Sequence, residues 1–400
     1  MTVLSLHDAS IQHPNRVALV VGEAELTYRQ LWEQVAPIVD RLRRSGLSRV
    51  GLVAGRDLST LRLLYALLET GICAVLLHPK WGRTERDAAT RMAKLDYIVD
   101  TGATDPMGGP WPTTDEKWQA PSPEDIAAVV FTSGSTGRPR GVRLSRRALM
   151  AAAHASEANL SWRDDDRWLL SIPLAHIGGL SIVTRCLAGQ RAVVLQPENR
   201  FEPGELIELV EATSTTLWSL VPTMLTRLLR ARPELTPPQS LRAVLVGGAT
   251  APTALIREAR ERRWPILTTY GLTEASAQVA TQPADQREAP PGAVGLPLPG
   301  VEVRVIDGEV QVRGATLFSG YLTDTRSPDT KQPLLEQPTR STLRWFGTDD
   351  AGSLGPDGWL TVVGRRGHVI RTGGEQVHPA EVEDLLLASG EITHACVFGV

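Results

Sequence analysis

The stretch AAVVFTSGSTGRPRGVRLS, residues 127–145, sets an apolar run directly before six small or hydroxylated residues: Thr132, Ser133, Gly134, Ser135, Thr136 and Gly137. Such a segment has almost no side chain to pack. It offers backbone N–H groups, hydroxyls and glycines that let a ligand come close, which suits the oxygens of a phosphate. Arg138 and Arg140 follow. The P-loop spacing does not fit, because Gly134 is followed by Ser-Thr-Gly-Arg-Pro-Arg-Gly, and no G-x-G-x-x-G pattern stands here. A flexible Ser/Gly linker has the same composition. The buried strand on one side and the arginine pair on the other weigh against it.

A phosphate loop needs a rigid frame, and the rhythm of the first 280 residues predicts one. Thr27 and Gln30 read as a capping box opening the helix TYRQLWEQVAPIVDRLRRSG, which ends at Gly46. The strand RVGLVAG, the helix LSTLRLLYALLETG and the strand ICAVLLHP follow. Further strands are expected at IAAVVFT, RWLLSIP, RAVVLQ, TTLWSLV, RAVLVGG and ILTTYG. Helices alternate with them at SRRALMAAAHASEA, GGLSIVTRCLAG, PGELIELVEA, PTMLTRLLRARP and APTALIREARERR. Short apolar runs followed by helices predict an α/β fold with two doubly wound parallel sheets side by side. After about residue 285, VEVRV and EVQVRG alternate around an Asp-Gly turn, which predicts a small antiparallel sheet or barrel. GWLTVVGRRGHVI reads as a hairpin-like pair, HPAEVEDLLLAS as a helix and THACVFGV as a closing strand.

Bulk properties narrow the partner. A chain of 400 residues is expected to hold two or three domains. Its 42% apolar and 22% charged residues are ordinary for a globular protein, and a net charge of −3 gives no general attraction to nucleic acid or an anionic membrane. The 38 arginines, against four lysines, are dispersed among acids, which argues against a nucleic-acid face. Cys73, Cys186 and Cys396 each stand in apolar company and read as small buried hydrophobes, without disulfide or metal spacing. The N-terminus lacks a signal-peptide pattern and no apolar run nears the ~18 residues of a membrane span, so a cytoplasmic protein with a small-molecule partner is expected.

TSGSTGRPRG resembles the phosphate-binding signature of the adenylate-forming superfamily of acyl-CoA synthetases, adenylation domains and luciferases. YGLTEAS (270–276), GTDDAG (347–352) and GRRGHVIRTGGEQVHPAEVE (364–383) match its later signatures in order. SIPLAHIGGLSIVTRCLAG, SLVPTMLTRLL, LVGGATAP and YGLTEASAQVATQ are most similar to the branch that joins o-succinylbenzoate to coenzyme A in menaquinone biosynthesis. The resemblance covers essentially the whole chain. It implies two steps: a carboxylate attacks the α-phosphate of ATP, and coenzyme A then displaces AMP. Another aryl or short acyl acid, an adenylation domain, or a non-catalytic nucleotide-binding relative are the alternatives.

The resemblance also implies roles. Thr132, Ser133, Gly134, Ser135, Thr136 and Gly137 hold the β- and γ-phosphates with Arg140 nearby, where relatives usually carry lysine. Thr273 meets the α-phosphate and Glu274 holds Mg²⁺. Gly247, Gly248 and Ala249 form an adenine wall with Tyr270 and Gly271. Asp350 takes the ribose hydroxyls, Asp349 standing where relatives more often have glycine, and Arg365 adds a ribose or phosphate contact. His176 lines the acyl pocket, with Ser219, Thr223, Arg227 and Ser276 on neighbouring segments. His368 stands at the hinge of the mobile C-terminal domain, where relatives commonly have Asp.

Residues 1–365 are therefore expected to form a large body, with α/β parts at about 1–180 and 181–285 and a β part at about 286–365. Residues 366–400 are expected to be the hinge and the start of a small α+β domain. The superfamily's mobile domain carries a catalytic lysine, whereas here no lysine follows Lys331 and the sequence stops at Val400, so truncation is the expectation. Such a chain should bind ATP and acyl adenylate but adenylate slowly. A homodimer stays open.

Overall fold

The structure, a computed structural model, describes residues 4–101, 113, 118–133, 139–196, 200–231, 236–286, 288–322, 344–372, 375–388, 392 and 395–399. Helix α1 (Leu6–Gln12) leads into a hairpin of β1 (Val17–Val21) and β2 (Ala24–Thr27). Helix α2 (Tyr28–Arg43) then starts on the expected cap. The Thr27 hydroxyl accepts from the Gln30 N–H, and the Gln30 side chain accepts from the Thr27 N–H. Next come β3 (Arg49–Val53), α3 (Leu58–Thr70), β4 (Cys73–Leu77), α4 (Arg83–Ala93), β5 (Tyr97–Val99), β6 (Ile126–Ser133) and β7 (Pro139–Ser145). These strands make a five-stranded sheet in the order β5-β3-β4-β6-β7, parallel except for β7.

The second sheet follows the same logic. Its elements are α5 (Arg146–Leu160), β8 (Arg167–Leu170), α6 (Ile177–Gly189), β9 (Ala192–Leu195), α7 (Pro203–Ala212), β10 (Leu217–Leu220), α8 (Pro222–Ala231), β11 (Ala243–Val246), α9 (Thr253–Glu261) and β12 (Ile266–Leu272). Strands β12-β11-β10-β8-β9-β1 lie parallel, with β2 beyond β1, so the N-terminal hairpin closes the edge of the second sheet. The other edge continues antiparallel with β13 (Ala277–Thr281), β14 (Ala293–Pro297), β15 (Val301–Ile306), β16 (Glu309–Gly314), β17 (Phe346–Leu354) and β18 (Leu360–Arg365), which lie outward from β12 in the order β13-β14-β18-β17-β16-β15. Asp307 and Gly308, both at positive φ (50° and 74°), form the β15–β16 turn.

Three details depart from the sequence reading. Strand β18 pairs with β14 and β17, so both its edges are filled. The following β19 (Ile370–Thr372) therefore pairs with β20 (Glu375–Val377), ahead of α10 (Pro379–Ala388), instead of returning on β18. Residues 395–399 form no strand; the Val397 N–H donates to the Glu383 carboxylate at 2.8 Å. Cys396 in this uncovered stretch is exposed, whereas Cys73 and Cys186 are the buried hydrophobes expected.

Strand pleating builds the cores. On β4, Ala74 and Leu76 enter one core while Cys73, Val75 and Leu77 enter another; on β8, Trp168 and Leu170 part from Leu169 in the same way. The first core also takes residues of α2, α3, α5 and α6, so these helices lie between the two sheets. Helix α4 covers the far face of the five-stranded sheet, and α7, α8 and α9 cover the far face of the other. Each fully buried leucine there stabilises by about 1.5–3 kcal/mol relative to exposure. Backbones also pack tightly where β12 meets β13: a Cβ on Gly271 would stand 1.8 Å from the Ala277 carbonyl oxygen. Gly271→Ala should lower stability by at least about 1–3 kcal/mol in chemical denaturation. An unchanged midpoint would show that this junction can give way.

Candidate active site

Parallel sheets receive ligands beyond the carboxyl ends of their strands. Here β4 and β6 of one sheet end on His78 and Thr132, while β8, β10, β11 and β12 of the other lead to His176, Thr223, Gly247 and Thr273. Thr132 faces Arg140 across the β6–β7 ladder, at the two feet of the glycine-rich loop. Gly134, Ser135, Thr136 and Gly137 lie outside the described residues, as does the side chain of Ser133.

Residues 318–322 strap the two sheets together. Along β7, Ser319 N donates to Arg143 O, Arg143 N to Gly320 O, and Leu322 N to Gly141 O at 2.7–3.0 Å, while Phe318 N donates to Glu274 O at 2.8 Å. The strap also delivers a side chain the sequence reading missed. The Tyr321 hydroxyl donates to Glu274 Oε1 at 2.8 Å, and the Arg140 guanidinium lies over the Tyr321 ring, 5.7 Å from its centroid. Burial and Glu274 push the phenol's pKa well up. Thr273 and Glu274 are half-buried in a 3₁₀ turn, Thr273–Ala275, which the left-handed Ser276 (φ 55°) closes. That conformation turns Ser276 inward. It is fully buried, and its hydroxyl donates to Thr316 O at 2.8 Å, so it is not available to an acid substrate.

At the end of β12, Tyr270 donates to Asp350 Oδ2 at 2.6 Å, and Arg365 Nε stands 3.1 Å from Asp350 Oδ1 while its Nη1 donates to Thr348 O. The β17 pleat buries Thr348 and Asp350 and exposes Gly347 and Asp349. Asp349 stands at φ 61°, a left-handed position that glycine fills most easily. Asp350 is thus the inward member of the pair. Burial raises its pKa above the ordinary 3.8, against the pull of Tyr270 and Arg365. Gly247 leaves room for Thr269: a Cβ there would come 2.5 Å from the Thr269 carbonyl oxygen. Gly248 (φ 81°) and Ala249 are exposed beyond it.

His176 caps the start of α6 and meets His78, another residue the sequence reading passed over, with ring centroids 5.3 Å apart. His78 continues through Trp81 to Phe131, the residue before Thr132. Burial lowers the pKa of both imidazoles, and their mutual repulsion lowers His78 further. Ser219 accepts from Trp168 Nε1 at 3.1 Å, and Arg185 lies over the Trp168 ring at 5.5 Å. Arg185 is buried, with Nε and Nη2 unmet among the described residues, and burial pulls its pKa down to about 10. A histidine nine residues ahead of an arginine on one apolar helix was the available signal. Thr223 is exposed at the start of α8. Arg227 is not brought to this group; it donates to Phe201 O at 2.6 Å and lies 3.7 Å from Glu202, at the start of α7. His368 is exposed in the 3₁₀ turn Arg366–His368.

Glu274, the residue expected to meet a divalent cation, offers one half-buried carboxylate. Among the described residues no group of three or more His, Cys, Asp or Glu could hold a metal alone. That donor set fits Mg²⁺, which takes one or two carboxylates plus phosphates and water.

Comparison with known proteins places the chain in a family. Residues 6–322 match the family of AMP-binding enzymes. The chain is 32% identical to a 2-succinylbenzoate–CoA ligase of Bacillus pumilus, over 99% of this chain and 84% of that one. Two solved structures of o-succinylbenzoate CoA synthetase from Bacillus subtilis, one with the acyl-adenylate intermediate and one with ATP and a magnesium ion, superpose with a TM-score of 0.85 at 26% identity. They cover 99% of this chain and 84% and 86% of theirs.

In His176→Asn, the His78 ring loses a neighbour that buries it and repels its cation, so it should titrate at a higher pH by NMR. An unchanged midpoint would mean that the two rings do not interact.

Proposed function

Because this chain belongs to the AMP-binding enzyme family, we propose that it is an AMP-forming acid–thiol ligase that activates o-succinylbenzoate with ATP and passes the acyl group to coenzyme A. The observation that carries this reading is the placement, at one edge of two sheets, of Arg140, Thr273 and Glu274 beside Tyr270, Asp350 and Arg365. The named ligase relatives supply the substrate.

The first step brings a carboxylate to the α-phosphorus of ATP; a P–O bond forms and pyrophosphate leaves. Two anions meet, so the work is positioning and neutralisation. Arg140 faces the outer phosphates at the foot of the loop, and the Thr273 hydroxyl donates to the α-phosphate. Glu274 would hold Mg²⁺, which would supply charge neutralisation to the phosphates. Asp350 receives the ribose hydroxyls. Each of its oxygens keeps an acceptor site beyond the bond to Tyr270 or Arg365. In the second step the coenzyme A sulfur attacks the acyl carbon and AMP leaves. His368 serves as the hinge between the steps, within the body-and-hinge division at about residue 365.

The acid has a second carboxylate, and a buried cation with unmet donors suits it. Arg185 on α6, beyond His176, is that residue. Among the described residues no helix is long and apolar enough to cross a membrane. Three free cysteines support a cytoplasmic setting.

Calorimetric titration with a non-hydrolysable o-succinylbenzoyl-adenylate mimic and its benzoyl counterpart tests this reading. The succinyl form should bind at least tenfold tighter, and Arg185→Gln should remove most of that difference, since a charged hydrogen bond contributes about 1.5–3 kcal/mol. Equal binding of both forms would point to a different acid, and binding of neither would reject the ligase.

A further inference from the structure

We propose that Tyr321 positions Glu274 for its cation: the phenolic hydroxyl occupies Oε1 and leaves Oε2 as a single, monodentate ligand. The inference rests on the proposed role of Glu274 as the carboxylate that meets Mg²⁺. Among the described residues, Oε2 has no hydrogen bond or ion pair, whereas Oε1 accepts from Tyr321 at 2.8 Å.

Tyr321 cannot easily leave that place. The strap hydrogen-bonds to β7 on both sides of it, and Tyr321 itself bridges Val142. Phe318 packs edge-on against its ring at 4.8 Å and against Phe346 at 5.2 Å. The same strap grips the Glu274 backbone through Phe318 N. One short segment therefore holds both the main chain and the carboxylate of Glu274, which fixes the carboxylate's rotamer before any ligand arrives.

A carboxylate with one oxygen already engaged discriminates between cations. Magnesium keeps a small, near-octahedral shell and needs only one protein oxygen beside phosphate and water. Calcium takes six to eight oxygens and often binds carboxylates through both, which here would break the tyrosine bond. Tyr321 thus favours Mg²⁺ both by pre-ordering the ligand and by denying the second oxygen.

The test is ATP binding by calorimetry, on the full chain, in EDTA, in Mg²⁺ and in Ca²⁺. Wild type should bind ATP more tightly with Mg²⁺ than in EDTA. Tyr321→Phe keeps the ring and should leave the EDTA affinity unchanged, reduce the Mg²⁺-dependent gain about tenfold, and shift preference toward Ca²⁺. On a Glu274→Gln background the same change should have no further effect. An undiminished Mg²⁺ gain in Tyr321→Phe would overturn the proposal while leaving the ligase reading intact. An equal loss in EDTA would overturn it in favour of a structural role. No Mg²⁺ gain in wild type would remove the Glu274 reading and the inference with it.

Discussion

The candidate site hangs on a short backbone ladder. Residues 318–322 run beside β7 of the five-stranded sheet while Phe318 N reaches the Glu274 carbonyl, next to the end of β12 in the other sheet. Backbone hydrogen bonds are individually modest, about 0.5–1.5 kcal/mol, but the three along β7 together fix the register. That register sets Tyr321 opposite Val142, and so within reach of both Glu274 and Arg140. Shifting the strap by one residue would turn Tyr321 to the opposite face.

The ladder works because the two sheets already share an interior. Helices α2, α3, α5 and α6 pack between them in one apolar core, and His78, after β4 of one sheet, meets His176, after β8 of the other. In the antiparallel part of the second sheet, another carboxylate does related work. Asp350 joins Tyr270 of β12 to Arg365 of β18. Burial raises its pKa, which means ionising it in place opposes folding more than its two partners compensate.

Much of this was legible from local pattern. The Thr27 cap, the Asp307–Gly308 turn and the alternation of strands with helices are short-range signals, and each appears where the residues put it. The Asp349–Asp350 choice was open in the sequence because only the pleat decides which of the two faces inward. Other features were hidden because they join distant residues: Tyr321 meets Glu274 across 47 positions, and Tyr270 meets Asp350 across 80. The N-terminal hairpin crossed to the second sheet for a similar reason, since β1 finds its partner in β9. Ser276 misled because a hydroxyl beside a motif resembles a ligand donor, and only its left-handed backbone turns it away. Arg227 misled because its helix was placed correctly while its side chain reaches toward α7.

The central claim is that these groups surround one nucleotide. A crystallographic difference map of the chain with ATP and Mg²⁺ tests it most directly. The account predicts ribose density against Asp350, phosphate density between Arg140 and Thr273, and a single cation touching one oxygen of Glu274. Ribose density away from Asp350, or a cation with no contact to Glu274, would contradict it.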